Sequence, residues 1–274
     1  MSGANVVTAG YVDTRWGQVH YRASGRNGPW VGLFHESPLS CRTFEKVLAP
    51  LGEYCRVVAF DTPGYGASDP PPSSSFEIPD YAQVLAEAMA TLGMTRPVLA
   101  GVHTGASIAV EAAQYSPTGV AGLVLTGVPL FTPEERADFL AHWTPPAPVD
   151  PSGSQLAWAL ERYTRIYGAD APPWMLNLAV VDLLRVADRY DWAYRAAFRH
   201  DPQPSLARFE GPVLLLNAEH DMLRNKDTVA LAHARDARLV VVEGIAGQPH
   251  MRTPERYTTA LASFVAKLSP VRHG

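Results

Sequence analysis

Cysteine is scarce in this chain: there are two among 274 residues, Cys41 and Cys55. The local patterns place one on a helix and the other at the start of a strand. Nothing brings them together, so two reduced thiols are expected rather than a disulfide. Long apolar runs are also lacking; none approaches the roughly 18 residues needed to span a bilayer. The opening Met1-Ser2-Gly3-Ala4-Asn5 has no basic segment leading into an apolar one, so no secretory signal is read and a cytoplasmic location is expected. Charge of one sign never accumulates. The 23 Lys and Arg and 27 Asp and Glu are mixed along the chain, for a net charge of −4. That balance excludes the footprint of a nucleic-acid or membrane-surface protein and points to a small, largely apolar substrate. A monomer and a homodimer both fit.

What is present is an alternation. Hydrophobic residues make up 47% of the chain, enough for one large core with or without a small accessory domain. Extended runs at 9–16 and 18–23 meet at Gly17, which predicts a hairpin. Short apolar strands follow at 30–34, 56–60, 97–102, 120–126, 213–216 and 239–242. Helical spacing at 43–51, 79–92, 105–115 and 253–268 falls between or after them. Apolar strands alternating with helices indicate a mostly parallel sheet covered on both faces. The alternation breaks once, between Pro129 and Phe209, in a stretch rich in Pro, Trp and Tyr. It reads as a helical insertion over the end of the sheet, here bounded at 130–208, with the core formed by 1–129 and 209–274.

Four motifs fall in order. The first is His35-Glu36-Ser37-Pro38 after the third strand. The second is Asp61-Thr62-Pro63-Gly64-Tyr65-Gly66-Ala67-Ser68, whose glycines permit tight backbone. The third is Gly101-Val102-His103-Thr104-Gly105, where a strand turns sharply into a helix. The fourth is Asp221, shortly after a late strand, followed by His250 before the last helix. Together these resemble the capped α/β-hydrolases: epoxide hydrolases, haloalkane dehalogenases, C–C bond hydrolases and esterases. The resemblance covers nearly the whole chain outside the insertion. It implies an eight-stranded, mostly parallel sheet with helices on both faces and an inserted helical cap.

The resemblance also assigns roles. The third motif matches the Gly-x-Ser-x-Gly nucleophile elbow, with His103 in place of the serine. An elbow residue is strained, and histidine tolerates φ > 0 better than most residues. The backbone N–H groups of Ser37 and Thr104 correspond to the oxyanion-hole donors. Glu36 stands where the family has glycine. Asp221 matches the family's acid. The family's histidine falls seven residues before the helix-starting Pro254, a position held by Gly247; His250 lies four before it. His250 is therefore a candidate base by shortened loop, or a non-catalytic neighbour. Ser107 lies one turn into the helix and is discounted as a nucleophile. The expected catalytic set is His103, Asp221 and His250, with Glu36, Trp143 and Trp174 against the substrate.

A histidine at the elbow leaves three routes open. Imidazole has a pKa near 6.5, so its neutral form could attack a carbonyl. It could instead act as a general base, held by Asp221, which is the preferred role and extends to lyase-like chemistry. The site could also bind without turnover. The insertion's tryptophans and tyrosines point to a substrate of aromatic or polycyclic character. His20, His142, His200, His233 and His273 sit in surface-like contexts, and His220 is expected at the rim. No metal and no cofactor are expected.

Overall fold

The computed structural model describes residues 6–268. In chain order the strands are β1 (Thr8–Thr14), β2 (Gly17–Ser24), β3 (Trp30–Phe34), β4 (Arg56–Phe60), β5 (Val98–Val102), β6 (Gly122–Thr126), β7 (Val213–Ala218) and β8 (Ala237–Val242). The helices are α1 (Glu45–Leu51), α2 (Ile78–Thr91), α3 (Thr104–Tyr115), α4 (Pro133–His142), α5 (Ser154–Tyr167), α6 (Pro173–Arg185), α7 (Trp192–Arg199), α8 (Gln203–Arg208), α9 (Asp227–His233), α10 (Pro249–Arg252) and α11 (Pro254–Leu268). The eight strands form one sheet in the order β1-β2-β4-β3-β5-β6-β7-β8. The β1–β2 hairpin and the β2–β4 pair are antiparallel, and every later pair is parallel.

Parallel strands covered on both faces need apolar side chains on both. All five residues of β5 and all five of β6 are buried. On one face, Leu99 and Leu123 pack with Tyr81, Leu85 and Met89 of α2 and Ile108 of α3. On the other, Val57, Val98 and Leu216 pack with Leu48 of α1 and Tyr257, Leu261 and Phe264 of α11. Each such aliphatic side chain contributes about 1.5–3 kcal/mol on burial. Between β6 and β7 the chain leaves the sheet for five helices, α4 to α8. The first is started by Thr132, whose hydroxyl accepts from the Glu135 N–H at 3.3 Å while Glu135 returns a bond to the Thr132 N–H at 2.8 Å.

Some local readings shift. The helix expected over 43–51 opens as a 3-10 turn, Cys41–Phe44, before α1. Both cysteines are free and buried. His20 and His200 are not surface residues: His20 Nδ1 lies 2.7 Å from Asp61 Oδ2, and His200 Nε2 lies 3.1 Å from Glu111 Oε1. His273 lies outside the described residues. His20, Cys41 and Asp61 gather within 4.8 Å of one another. Asp61 is already committed, accepting from the Cys41 N–H at 2.6 Å and the Ala67 N–H at 2.8 Å. Burial and Asp61 push the Cys41 thiol well above its ordinary pKa. The trio knots the hairpin to the Asp61 loop.

Candidate active site

The elbow is built by close backbone approach. A Cβ on Gly101 would collide with the Gly105 carbonyl, and one on Gly105 with the Phe34 carbonyl. Only glycine lets α3 start directly above β5 and beside β3. His103, between them, has φ 46 and ψ −111. Its side chain stands at the sheet's carboxyl edge and is 14% exposed. The His103 Nε2 lies 3.0 and 3.2 Å from the two Asp221 carboxylate oxygens. Asp221, fully buried, also accepts the Leu223 N–H at 2.8 Å. Gly127, with φ +59, floors this pair: a Cβ there would lie 2.7 Å from His103 Nε2 and 3.0 Å from Asp221 Oδ1.

The position that the family gives to its histidine is Gly247, and a Cβ there would sit 3.4 Å from Asp221 Oδ2. The imidazole on Asp221 therefore comes from the elbow rather than from this loop. Of the three positions that carry the family's relay, 103 and 221 bear side chains that meet, and 247 is glycine.

His250 does not take the vacant place. It is fully buried, packed against Phe44 at 4.9 Å and Tyr257 at 5.9 Å between ring centroids. Its nearest carboxylate is Glu36: Nε2 lies 3.4 Å from Oε2, without the alignment of a hydrogen bond. Glu36 is itself 5% exposed, and neither carboxylate oxygen has a hydrogen-bond partner among the described residues. His35 braces the loop from behind. Its Nδ1 donates to the Glu36 carbonyl at 2.9 Å, and its Nε2 accepts the Thr62 N–H at 2.9 Å.

The cavity above the elbow encloses about 600 Å³ of empty space, part of it open to solvent. Glu36, Ser37, His103 and Thr104 form its floor, joined by Gln248. Neither the Ser37 nor the Thr104 amide finds a protein acceptor among the described residues. The inserted helices supply the walls, including Phe139, Trp143, Tyr163, Tyr167 and Tyr194. The Tyr163 and Tyr167 hydroxyls are buried without hydrogen-bond partners among the described residues. Trp174 is elsewhere: its ring lies under Lys46 Nζ at 4.0 Å, away from the cavity lining. Its helix turns that face toward α1, which spacing in sequence does not reveal. His220 is exposed and off the lining, and Ser107 is buried inside α3.

The electrostatics run in opposite senses. Burial works against the His103 imidazolium, but Asp221 and then Glu36 outweigh it and hold the pKa above its ordinary 6.5. Burial likewise opposes the Asp221 carboxylate, yet His103 keeps its pKa below 3.8. Glu36 is desolvated too, and His250 and His103 pull its pKa below 4.5. Both carboxylates favour the protonated form of the His103 ring.

Gly127 and Gln248 were not singled out for these positions from sequence, whereas Gly247 was identified there as the place of the family's histidine. A glycine directly after β6 was the available signal for the first. The φ of +40 at Gln248 has none.

Fold and site together point to the α/β-hydrolase fold class. Residues 32–244 match the family model described as the alpha/beta hydrolase fold, and the chain belongs to that family. It is 28% identical over 257 residues to 2-(acetamidomethylene)succinate hydrolase of Mesorhizobium japonicum, covering 87% of this chain and 88% of that one. It is 31% identical over 115 residues to haloalkane dehalogenase 2 of Mycobacterium tuberculosis, a match spanning 42% of this chain and 40% of the dehalogenase. The enol-lactonase of Burkholderia xenovorans superposes with a TM-score of 0.78 at 19% identity, over 94% of this chain and 100% of the lactonase. That last likeness concerns the fold alone. Among the described residues no helix is long and apolar enough to cross a membrane.

Proposed function

We propose that this protein hydrolyses small apolar esters or lactones without a covalent acyl-enzyme, with His103 moving the proton and Asp221 orienting its ring. The observation that carries this is the two-residue pair: His103 Nε2 sits on Asp221 at 3.0 Å, and Nδ1 has no hydrogen-bond partner among the described residues. The unpaired amides of Ser37 and Thr104 lie on the same floor, where they would stabilise a carbonyl oxygen as it gains charge. Helices α4 to α8 act as the cap that excludes water and selects an apolar acyl or alkyl group. The relative from Mesorhizobium is named for a substituted succinate. A dicarboxylate does not suit this cavity, because Glu36 would repel it and the walls are aromatic.

The test is the initial rate on a panel of p-nitrophenyl esters for wild type and His103→Gln. The variant should lose about 10²–10⁴-fold in kcat, the usual contribution of a positioned proton-transfer group. Wild type should release p-nitrophenol linearly. A burst equal to the enzyme concentration would show an acyl-imidazole and defeat the non-covalent reading.

A further inference from the structure

The segment after β8 runs between the two carboxylates of the site. A Cβ on Gly247 would sit 3.4 Å from Asp221 Oδ2, and further along the chain His250 Nε2 lies 3.4 Å from Glu36 Oε2. Gln248 is carried between those two contacts and lines the same cavity as His103. We infer that the Gln248 side chain holds the attacking water, its Oε1 accepting the O–H that the water keeps while His103 Nδ1 takes the proton of the other. This deepens the proposed hydrolysis and rests on it.

Which polar atoms meet the cavity decides the assignment. The Glu36 carboxylate and the Tyr163 and Tyr167 hydroxyls are sealed, with essentially no accessible surface. Gln248 differs. It is 6% exposed, and its side chain does not cap α10. Its amide is not among the sealed groups and has no hydrogen-bond partner among the described residues. A buried amide is costly to leave unsatisfied, so what completes it comes from the contents of the cavity. The Ser37 and Thr104 hydroxyls also reach the cavity unsealed, but they belong to the residues whose amides face the carbonyl oxygen. The backbone adds a second observation. Gln248 has φ 40 and ψ 60, directly after Gly247 at φ +71. A residue with a Cβ is strained there, and such strain gathers at functional sites. Glycine would meet that conformation with less strain, so what glutamine adds at this position is its amide.

A water has two hydrogens to place before its lone pair points at carbon. His103 Nε2 faces the Asp221 carboxylate, so the neutral ring carries its proton there and its lone pair at Nδ1. The water oxygen bonds to the acyl carbon as one proton passes to Nδ1, and the carbonyl π pair moves onto the oxygen facing Ser37 and Thr104. The second proton stays on the water oxygen, held by Gln248 Oε1. On collapse the bond to the leaving oxygen breaks, and that oxygen takes the proton from Nδ1. The products are carboxylic acid and alcohol, and Gln248 ends unchanged. A neutral amide orients the water without competing with His103 for the proton. Methanol, with a single O–H, satisfies His103 but leaves Oε1 empty, so this site favours water over methanol.

The experiment follows kcat and KM on p-nitrophenyl butyrate with and without added methanol, with butyrate and methyl butyrate quantified by chromatography. Gln248→Met keeps the length and loses the amide. It should lower kcat by about 10²-fold, the usual cost of a misplaced reactant, with KM little changed. Its ratio of methyl butyrate to butyrate should rise, because only water loses a partner. Gln248→Gly should lose kcat to the same extent while its urea midpoint does not fall, since glycine suits φ 40. Gln248→Glu keeps an acceptor, so its kcat should stay within about tenfold of wild type. The pH at which its rate rises should move up, because a third carboxylate joins Asp221 and Glu36 in favouring the protonated His103 ring. Met and Gly variants within about threefold of wild type in kcat overturn the inference, as does a methyl butyrate ratio that stays at the wild-type value. A rise in KM with kcat intact places Gln248 on the substrate and overturns the water-holding role. A wild type inert on esters, or one whose His103→Gln variant keeps the full rate, rejects the hydrolysis reading and this inference with it. Loss of rate in His103→Gln beside unchanged Gln248 variants rejects this inference alone.

Discussion

At the scale of single residues, the site turns on an exchange between His103 and Gly247. A serine hydrolase spends three residues on its relay because serine cannot move a proton at neutral pH unaided. Here the elbow side chain is an imidazole, and it reaches Asp221 directly at 3.0 Å. The loop that would deliver a second imidazole carries glycine, with φ +71. His250 cannot substitute, because it packs behind Glu36 rather than on Asp221. His103→Ser alone should therefore be inert, since its hydroxyl would have no base. The double variant His103→Ser with Gly247→His should rebuild a conventional triad, because a Cβ at 247 starts 3.4 Å from Asp221 Oδ2. The measurement is pre-steady-state release of p-nitrophenol. A burst from the double variant, absent from both single variants, is the expected result. A burst from His103→Ser alone would mean that His250 swings onto the serine.

At the scale of elements, the inserted helices are fastened to the core by the loops after β3 and β4. The Tyr65 hydroxyl accepts the Ala193 N–H at the start of α7 at 2.8 Å. Arg189 Nε donates to the Gly64 carbonyl at 2.9 Å. Ser40 donates to Asp182 of α6 at 2.6 Å. Tyr65→Phe leaves a buried N–H without an acceptor, which costs about 1–3 kcal/mol. Urea unfolding should show that loss. KM should rise more than kcat falls, because the loosened helices carry the walls and not the proton-transfer groups. An unchanged KM beside reduced stability would separate the insertion from substrate binding. This fastening also explains what could be seen before the structure. Asp61, Gly64 and Gly66 announced a tight loop because backbone geometry forces those residue types locally. That Tyr65, within the same motif, would reach across 128 residues to Ala193 has no local signature.

Across the whole molecule, two construction rules coexist. The sheet and its glycine-flanked turns were legible because each strand must bury both faces and each turn must spare a Cβ; Gly101 and Gly105 could be placed from the resemblance to the elbow motif. Burial and orientation in the insertion depend on which helix meets which, so Trp143 reached the cavity whereas Trp174 turned to Lys46. Glu36 was legible as a departure from a pattern, but its isolation from every hydrogen bond was not. The division has a functional consequence. The pair proposed to move the proton sits on core loops: His103 after β5 and Asp221 after β7. The aromatic wall sits on inserted helices and centres on Phe139, which stacks on Phe198 at 5.0 Å and touches Phe131 at 4.6 Å and Trp143 at 5.6 Å. Shape selection and chemistry should then be separable. Phe139→Ala opens the wall without touching the floor, so its pH–rate profile should overlay that of wild type. Its preference among p-nitrophenyl esters should move toward longer acyl chains, by about tenfold in kcat/KM for each methylene that newly fits. A profile shifted in pH, with chain-length preference unchanged, would mean that the wall sets the ionisation of the floor and that the two halves of the molecule are not independent.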